Sequence, residues 1–236
     1  MTRHCATDRG VALLAALVVM AVVTAMGMGL ALTSSLEPTA AANFEAGRAA
    51  RLAAEAGVAV AAHELAGLPD WNAVLSGLTV SAVLDHGPVE VGLPDGTRAG
   101  LDALTATATC GRPGACSEAD GSAVTAARPW GPNNPAWRVF GHSRLDRLVP
   151  GGDGLPPIVI VVWMGDDPAE LDGDPLTDSG VGPGGEHRPG GCVLAVRAEA
   201  FGPRSSHAAV LATVARREPD PTCGRGARLV SLRNLN

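Results

Sequence analysis

The sequence RGVALLAALVVMAVVTAMGMGLAL, residues 9–32, decides the fold of this chain. From Val11 to Leu32 no side chain carries a charge, and Thr24 is the one hydroxyl among apolar residues and glycines. About 20 apolar residues in a row are what an α-helix needs to cross a bilayer. We therefore predict a membrane-spanning helix over residues 11–32, preceded by a short basic leader over residues 1–10.

The charges beside this helix predict its orientation. Arg3 and Arg9 precede the apolar run, and the first charge after it is Glu37. Positive residues stay on the cytoplasmic side of a membrane. The sequence therefore predicts a single-pass membrane protein whose remaining residues face outwards.

Residues 33–66 predict that the helix continues beyond the membrane, because they are rich in Ala and nearly free of strand-forming residues. Small residues recur there at alternating steps of four and three, which places them on one face. The recurring positions are Leu36, Ala40, Asn43, Gly47, Ala50, Ala54, Gly57 and Ala61. Such a seam allows close approach to a covering sheet or to neighbouring helices. Pro38 predicts a kink or short break.

Residues 67–236 predict one β-rich domain. Gly- and Pro-rich turns separate segments that alternate or are rich in β-branched residues, as in an antiparallel sheet. The predicted strands are residues 78–84, 89–93, 101–109, 137–140, 158–164, 192–201, 208–216 and 227–232. A long helix followed by strands indicates an α+β fold in which the helix packs on the sheet.

Four cysteines follow the apolar run, and in an exported domain they predict two disulfides. Of the three possible connectivities we favour Cys110–Cys116 with Cys192–Cys223, because each pair is local in sequence. A zinc site is the alternative, although no CxxC or HxxxH spacing supports it. The fifth cysteine, Cys5, lies in the leader.

An acidic stretch is the candidate ion-binding site. Its carboxylates are Asp166, Asp167, Glu170, Asp172, Asp174 and Asp178. Calcium is bound by flexible loops that direct several carboxylate and carbonyl oxygens inward. The spacing is not that of an EF-hand, since Leu176 and Pro183 stand where that loop needs acids. Two interpretations stay open, a calcium site and a solvated acidic loop, and no other cofactor is predicted.

Composition and motifs argue against two classes of function. The net charge is −6 and no basic stripe is present, so we expect no nucleic-acid partner. The chain contains no GxSxG elbow, Walker loop or HExxH motif, and no GxGxxG in a strand-turn-helix setting. The sequence therefore predicts a protein that is not an enzyme.

The order of Arg9, Gly10 and the apolar helix resembles the N-terminus of type IV prepilins and of the pseudopilins of type II secretion. Four further segments look like blocks found in PilX-type pilus assembly proteins. They are RLAAEAG (51–57), WGPNNPAWRVF (130–140), VVWMGDDP (161–168) and RAEAFG (197–202). The chain departs from major pilins at Ala15, the fifth residue after Gly10, where they carry Glu. Among relatives this Glu is most often absent from subunits thought to sit at the fibre tip.

The resemblance implies a pilin-like fold and a precursor that the prepilin peptidase cuts after Gly10 and methylates on Val11. It implies a minor pilin of the PilX type, first in the inner membrane and later in the pilus. Such a subunit joins other minor pilins and the major pilin through its N-terminal helix, and primes or caps the fibre. The alternatives are a type II secretion pseudopilin and an uncleaved, signal-anchored periplasmic binding domain.

Overall fold

The fold is α+β, with one long N-terminal helix followed by a domain built on an antiparallel sheet. The structure is a computed structural model. It describes residues 7–87, 89–126, 128–170, 172–179, 190–217 and 226–235. The leader residues 1–6 and Cys223 lie outside the described residues. The chain divides into two compact units, Met1–Glu45 and Ala46–Asn236.

One helix, α1, runs over Thr7–Gly67. Its segment Gly10–Gly29 is the one stretch of the described chain that is long and apolar enough to cross a membrane. It overlaps the span predicted at residues 11–32. Of the kink or short break predicted at Pro38, the break is wrong, since α1 continues through this residue, and the kink stays a prediction. Proline removes one backbone donor from a helix, but here that loss does not end it.

The main sheet lies in the second unit and has five antiparallel strands in chain order. These strands are β3 (Arg138–Arg144), β4 (Val159–Asp166), β5 (Val193–Phe201), β6 (His207–Arg216) and β7 (Ala227–Leu235). A separate ribbon pairs β1 (Glu90–Gly92) with β2 (Arg98–Gly100). The strands predicted at 89–93 and from residue 137 onward are thus confirmed. The short helices are α2 (Asn72–Leu75), α3 (Leu101–Cys110), α4 (Glu118–Ser122) and α5 (Leu145–Leu148).

The inner face of the sheet packs on the part of α1 that belongs to the second unit. Four positions of the predicted small-residue seam are buried there, namely Ala50, Ala54, Gly57 and Ala61. A Cβ atom at Gly57 would stand 2.8 Å from Ile160 Cγ2 and 3.1 Å from Val162 Cγ2. The helix backbone therefore touches the sheet directly at this point. Ala40 and Asn43, predicted on the same seam, are exposed.

The outer face of the sheet is covered by α3. Leu101 and Ala108 of this helix pack with Val161 and Trp163 of β4, and the Trp163 indole N–H donates to the Thr105 hydroxyl at 2.8 Å. The strand predicted at 101–109 is therefore wrong. Its apolar residues fit a helical stripe as well as an alternating strand, and contact with the sheet favours the helix.

The strand predicted at 78–84 is also wrong. The carboxylate of Glu64, from α1, accepts hydrogen bonds from the Ser81 hydroxyl and from the Ala82 N–H. Ser81 N–H donates to the Phe140 carbonyl at 2.9 Å, and Asp85 forms a single bridge with His142. The segment thus bends away from a regular strand and lies along the edge of β3.

We predict that Gly57→Leu lowers the free energy of unfolding by about 3 kcal/mol, because a larger side chain must displace Ile160 and Val162. The matched control is Gly47→Leu in the same helix, where a Cβ atom meets nothing within 4 Å. This control should raise stability by about 0.5–1 kcal/mol through helix propensity alone. Thermal unfolding of the full-length protein in detergent measures both. Equal effects of the two substitutions would contradict close helix–sheet contact.

Candidate functional site

The apolar segment Gly10–Gly29 of α1 is exposed on all sides. Val11 and Leu13, for example, are each 66% exposed. A helix that is apolar all round is covered by lipid or by other apolar helices. Gly10 and Val11, the predicted cleavage and methylation site, lie inside α1, close to its first described residue. The described chain thus holds one helix suited to a single membrane crossing.

The acidic residues of the sequence lie at one end of the sheet, where β4 ends and the chain loops back to β5. Asp166 is the last residue of β4 and pairs with Leu194. Asp166 is 5% exposed and Glu170 is fully buried, whereas Asp174 is exposed. The interpretation as a solvated loop is therefore wrong for Asp166 and Glu170. Asp166 is buried because β4 is covered on its two faces along its whole length, and Glu170 is buried in the following loop, against Gly190.

Glu170 lies at the centre of this acidic cluster, which we define as Asp166, Glu170, Asp172 and Asp178. One carboxylate oxygen of Glu170 accepts hydrogen bonds from the Ser179 N–H and hydroxyl, at 3.1 and 2.9 Å. The other oxygen is buried and accepts no hydrogen bond from the described residues. The Ser179 hydroxyl is also within hydrogen-bond distance of the Asp172 carboxylate, and its single proton is donated to one of the two carboxyl groups at a time. The loop thus ties two carboxylates to one serine.

The backbone at Gly190 lies directly against Glu170 and covers the acidic cluster. Gly190 has φ +89°, and a Cβ atom there would lie 2.5 Å from the Glu170 nitrogen. Only glycine adopts this positive φ without strain and has no Cβ atom to clash with Glu170. Asp178 is held from two sides, since its N–H donates to the Asn72 side-chain oxygen at 2.6 Å. Its carboxylate accepts from the Cys192 N–H at 2.5 Å.

Burial and mutual repulsion shift the protonation of these groups. Burial raises the pKa of Asp166 to about 8, and the nearby Glu170 carboxylate adds to the shift. Burial raises the pKa of Glu170 to about 7, against the opposing hydrogen bonds from Ser179. For Asp178 burial raises the pKa to about 6, while the Cys192 N–H and the Arg216 charge lower it. At neutral pH the cluster therefore holds protons that ordinary carboxyl groups would have lost.

Sequence reasoning missed Arg216, the cation that the structure places near Asp178. Its guanidinium lies 4.0 Å from the centre of the Trp71 ring and donates to the carbonyls of Leu68 and Pro69 at 2.7 and 3.2 Å. Burial lowers the pKa of Arg216, whereas the charges of Asp178 and Asp70 raise it. No local motif predicts the contact between Arg216 and Trp71, because the two residues lie far apart in the sequence and meet only in the folded domain.

The cysteines divide between described and undescribed residues. Cys110 and Cys116 form a disulfide with a Cα–Cα distance of 6.1 Å, which ties the end of α3 to the following loop. Cys192 is also disulfide-bonded, and Cys223, its predicted partner, lies outside the described residues. Among the described residues, no group of three or more His, Cys, Asp or Glu side chains is placed to hold a metal ion. Calcium binding stays a prediction of the sequence.

Protein-family models, curated proteins and solved structures give no match to this chain.

We predict that stability falls as pH rises from about 4 to 8 in calcium-free buffer. In this range the unfolded chain has released protons that the folded acidic cluster still binds, so raising the pH favours unfolding. Asp166→Asn keeps an oxygen that accepts from the Asp167 N–H. It should make the free energy of unfolding fall less steeply with pH, by up to about 1.4 kcal/mol per pH unit. Melting temperatures at pH 5 and pH 8 measure it. The exposed Asp153→Asn serves as control, and an Asp166→Asn slope equal to wild type would contradict the prediction.

The calcium interpretation predicts that calcium raises the melting temperature of the full-length protein at pH 8, because a cation offsets repulsion among buried carboxylates. Magnesium at the same concentration should do less, since it demands a tighter octahedral set of ligands. The double variant Asp166→Asn/Glu170→Gln should lose the response, and Asp153→Asn should keep it. If calcium leaves the melting temperature unchanged, the calcium interpretation is wrong and the acidic cluster binds protons only.

Proposed function

We propose that this chain is a minor pilin of the PilX type, a non-enzymatic subunit of type IV pilus assembly. The observation that carries the proposal is the order of Arg9, Gly10 and an apolar helix that continues to Gly67. A single span with a cleavage position in front of it keeps the helix in the mature protein. The order of a long helix and then an antiparallel sheet supports the proposal, because the resemblance implies that order.

The proposed role is mechanical. The apolar part of α1 holds the subunit in the inner membrane before assembly and packs with other minor pilins and the major pilin afterwards. The sheet covers the seam at Ala50, Ala54, Gly57 and Ala61, so partners meet other faces of the helix there. Leu52 is 54% exposed there, and Arg51 pairs with Glu55 at 2.9 Å. The disulfide-tied domain faces the periplasm and then the outside of the cell.

Ala15 supports a position at the fibre tip. In major pilins a Glu at this position helps a subunit dock onto the growing fibre. A subunit that primes or caps a fibre has nothing above it to dock onto, so an alanine is compatible with that position. A type II secretion pseudopilin would use the same helix in a short periplasmic piston, and the neighbouring genes distinguish the two machines.

N-terminal mass spectrometry of the protein from its native membrane tests the proposal. In cells with prepilin peptidase we expect a mature chain that starts at methylated Val11, and in cells without it a chain that keeps residues 1–10. Gly10→Leu should block cleavage in the first strain, because the small residue at the cleavage position is lost. The matched control is Gly27→Leu, deeper in the apolar segment, which should be cleaved like wild type.

A full-length N-terminus in both strains would contradict the pilin proposal. It would favour the uncleaved, signal-anchored periplasmic domain, with the acidic cluster as its candidate binding site. A cleaved and methylated chain that is absent from sheared pili but present with secretion components would instead favour the pseudopilin.

A further inference from the structure

His142 is a buried histidine on the outer face of β3. It is 8% exposed, and it pairs with Val161 of β4, one of the residues that pack with α3. Its ring nitrogen Nε2 is buried and makes no hydrogen bond with the described residues. Buried polar atoms nearly always have a hydrogen-bond partner. A positive charge on this ring would therefore lie in the interior without an acceptor at Nε2.

The charged groups around His142 are already paired with one another. A cavity of about 710 Å³ beside this histidine is lined by residues 82–87, the β1–β2 ribbon, β3, Arg147 of α5 and Val159. Three ion pairs surround the cavity, namely Arg147–Asp85 at 3.5 Å, Arg98–Glu90 at 3.3 Å and Arg144–Asp146 at 2.5 Å. The other titratable group of the described lining is His86, a second base. Each carboxylate of the described lining thus already faces an arginine, and a protonated His142 would add an unbalanced positive charge.

The folded domain favours the neutral form of this ring. Burial lowers the pKa of His142 from its ordinary value, the charge of Asp85 opposes this shift, and the charge of His86 adds to it. A histidine in ordinary surroundings changes its charge between pH 5 and pH 8. Because the folded pKa is lowered, the contribution of His142 to stability is complete above its ordinary pKa and is lost as pH falls below that value.

The β1–β2 ribbon, residues 90–100, is the part of the cavity wall that is held least firmly. Each of its strands has three residues, and a two-stranded ribbon on its own is marginally stable in water. Among the described residues no hydrogen bond joins the ribbon to β3 or β4. Its buried contact is Val91, which packs in one apolar cluster with Val159. Residues 81–85, by contrast, have backbone hydrogen bonds to β3 and bury Leu84.

We propose that the β1–β2 ribbon is a pH-sensitive lid, which moves away from the outer face of the sheet when His142 gains a proton. Separation of Val91 from Val159 lets water reach the charged ring, and hydration then stabilises the charge. At neutral pH the ring is uncharged and the lid stays packed on the sheet. The inference goes beyond the proposed function, because it concerns a motion within the domain that does not depend on entry into a pilus.

The acidic cluster responds to pH in the opposite direction and lies at the other end of β4. Asp166 is the last residue of this strand, whereas the cavity beside His142 touches Val159, the first one. As pH falls, protons that bind to the acidic cluster stabilise the domain as a whole, and the proton on His142 loosens the lid alone. A local opening in a domain that becomes more stable overall is therefore the signature of the lid.

Hydrogen exchange of the full-length protein in detergent tests the lid, at pH 8 and pH 5 with exchange times scaled to the intrinsic rates. In residues 90–100 we expect protection to fall at pH 5, by at most about tenfold for each pH unit below the ordinary histidine pKa. Peptides from β5 should keep their protection. His142→Gln and His142→Leu take up no proton at this position and should abolish the response. The matched control His86→Gln, at an exposed histidine of the same cavity, should keep it.

Several results would overturn the proposal. The first is equal protection of residues 90–100 at the two pH values in the wild-type protein. The others are a response that a folded His142 variant keeps, or one that His86→Gln abolishes. A loss of protection that spreads equally through the main sheet would also overturn it, because the opening would then be global. Melting temperatures show which variants are folded, and His142→Leu supplies the comparison if the buried amide of His142→Gln prevents folding.

Discussion

The contact between the backbone of α1 and the sheet at Gly57 is the constraint on which the domain depends. The chain has 3% aromatic residues and no tyrosine, so few large rings are available between the helix and the sheet, and among the described residues this core contains only Trp71 and Phe140. At Gly57 the helix and the sheet instead lie so close together that no large side chain is needed between them. Alanines and one glycine on the helix let the branched side chains of Ile160 and Val162 reach the helix backbone. Such close packing gains many dispersion contacts from small residues.

This contact also explains why a carboxyl group at the end of β4 is buried. With α1 on one face and α3 on the other, β4 is covered along all of its length. Its last residue, Asp166, is therefore carried into the interior together with the apolar residues before it. The following turn brings Glu170 against Gly190, and water is excluded from both carboxylates. The raised pKa of Asp166 thus follows from helix packing on both faces of one strand, and the raised pKa of Glu170 follows from its burial in the loop against Gly190.

The parts of the fold that the sequence predicted are those in which a local pattern has one solution. The long helix and the strands of the main sheet belong to this group. Residues 101–109 do not, because their alternation fits a strand while Leu101, Leu104 and Ala108 also make a helical stripe. The acidic residues were found but their burial was not, since it depends on β4 packing. Arg216 was missed because its contact with Trp71 exists only after folding.

The burial of the seam also decides which surface of the helix is left for partners. In sequence, small residues at Ala50, Ala54, Gly57 and Ala61 suit either a sheet or a neighbouring helix. In the structure the sheet covers them, so they cannot take part in contacts between subunits. The face that stays exposed carries Leu52 and the Arg51–Glu55 ion pair, and the packing with other pilins that we propose would use this face. Exposed ion pairs of this kind contribute little to affinity but discriminate well between charged partners. The selectivity of assembly would then reside in charge, and the stability of the domain in the small-residue seam.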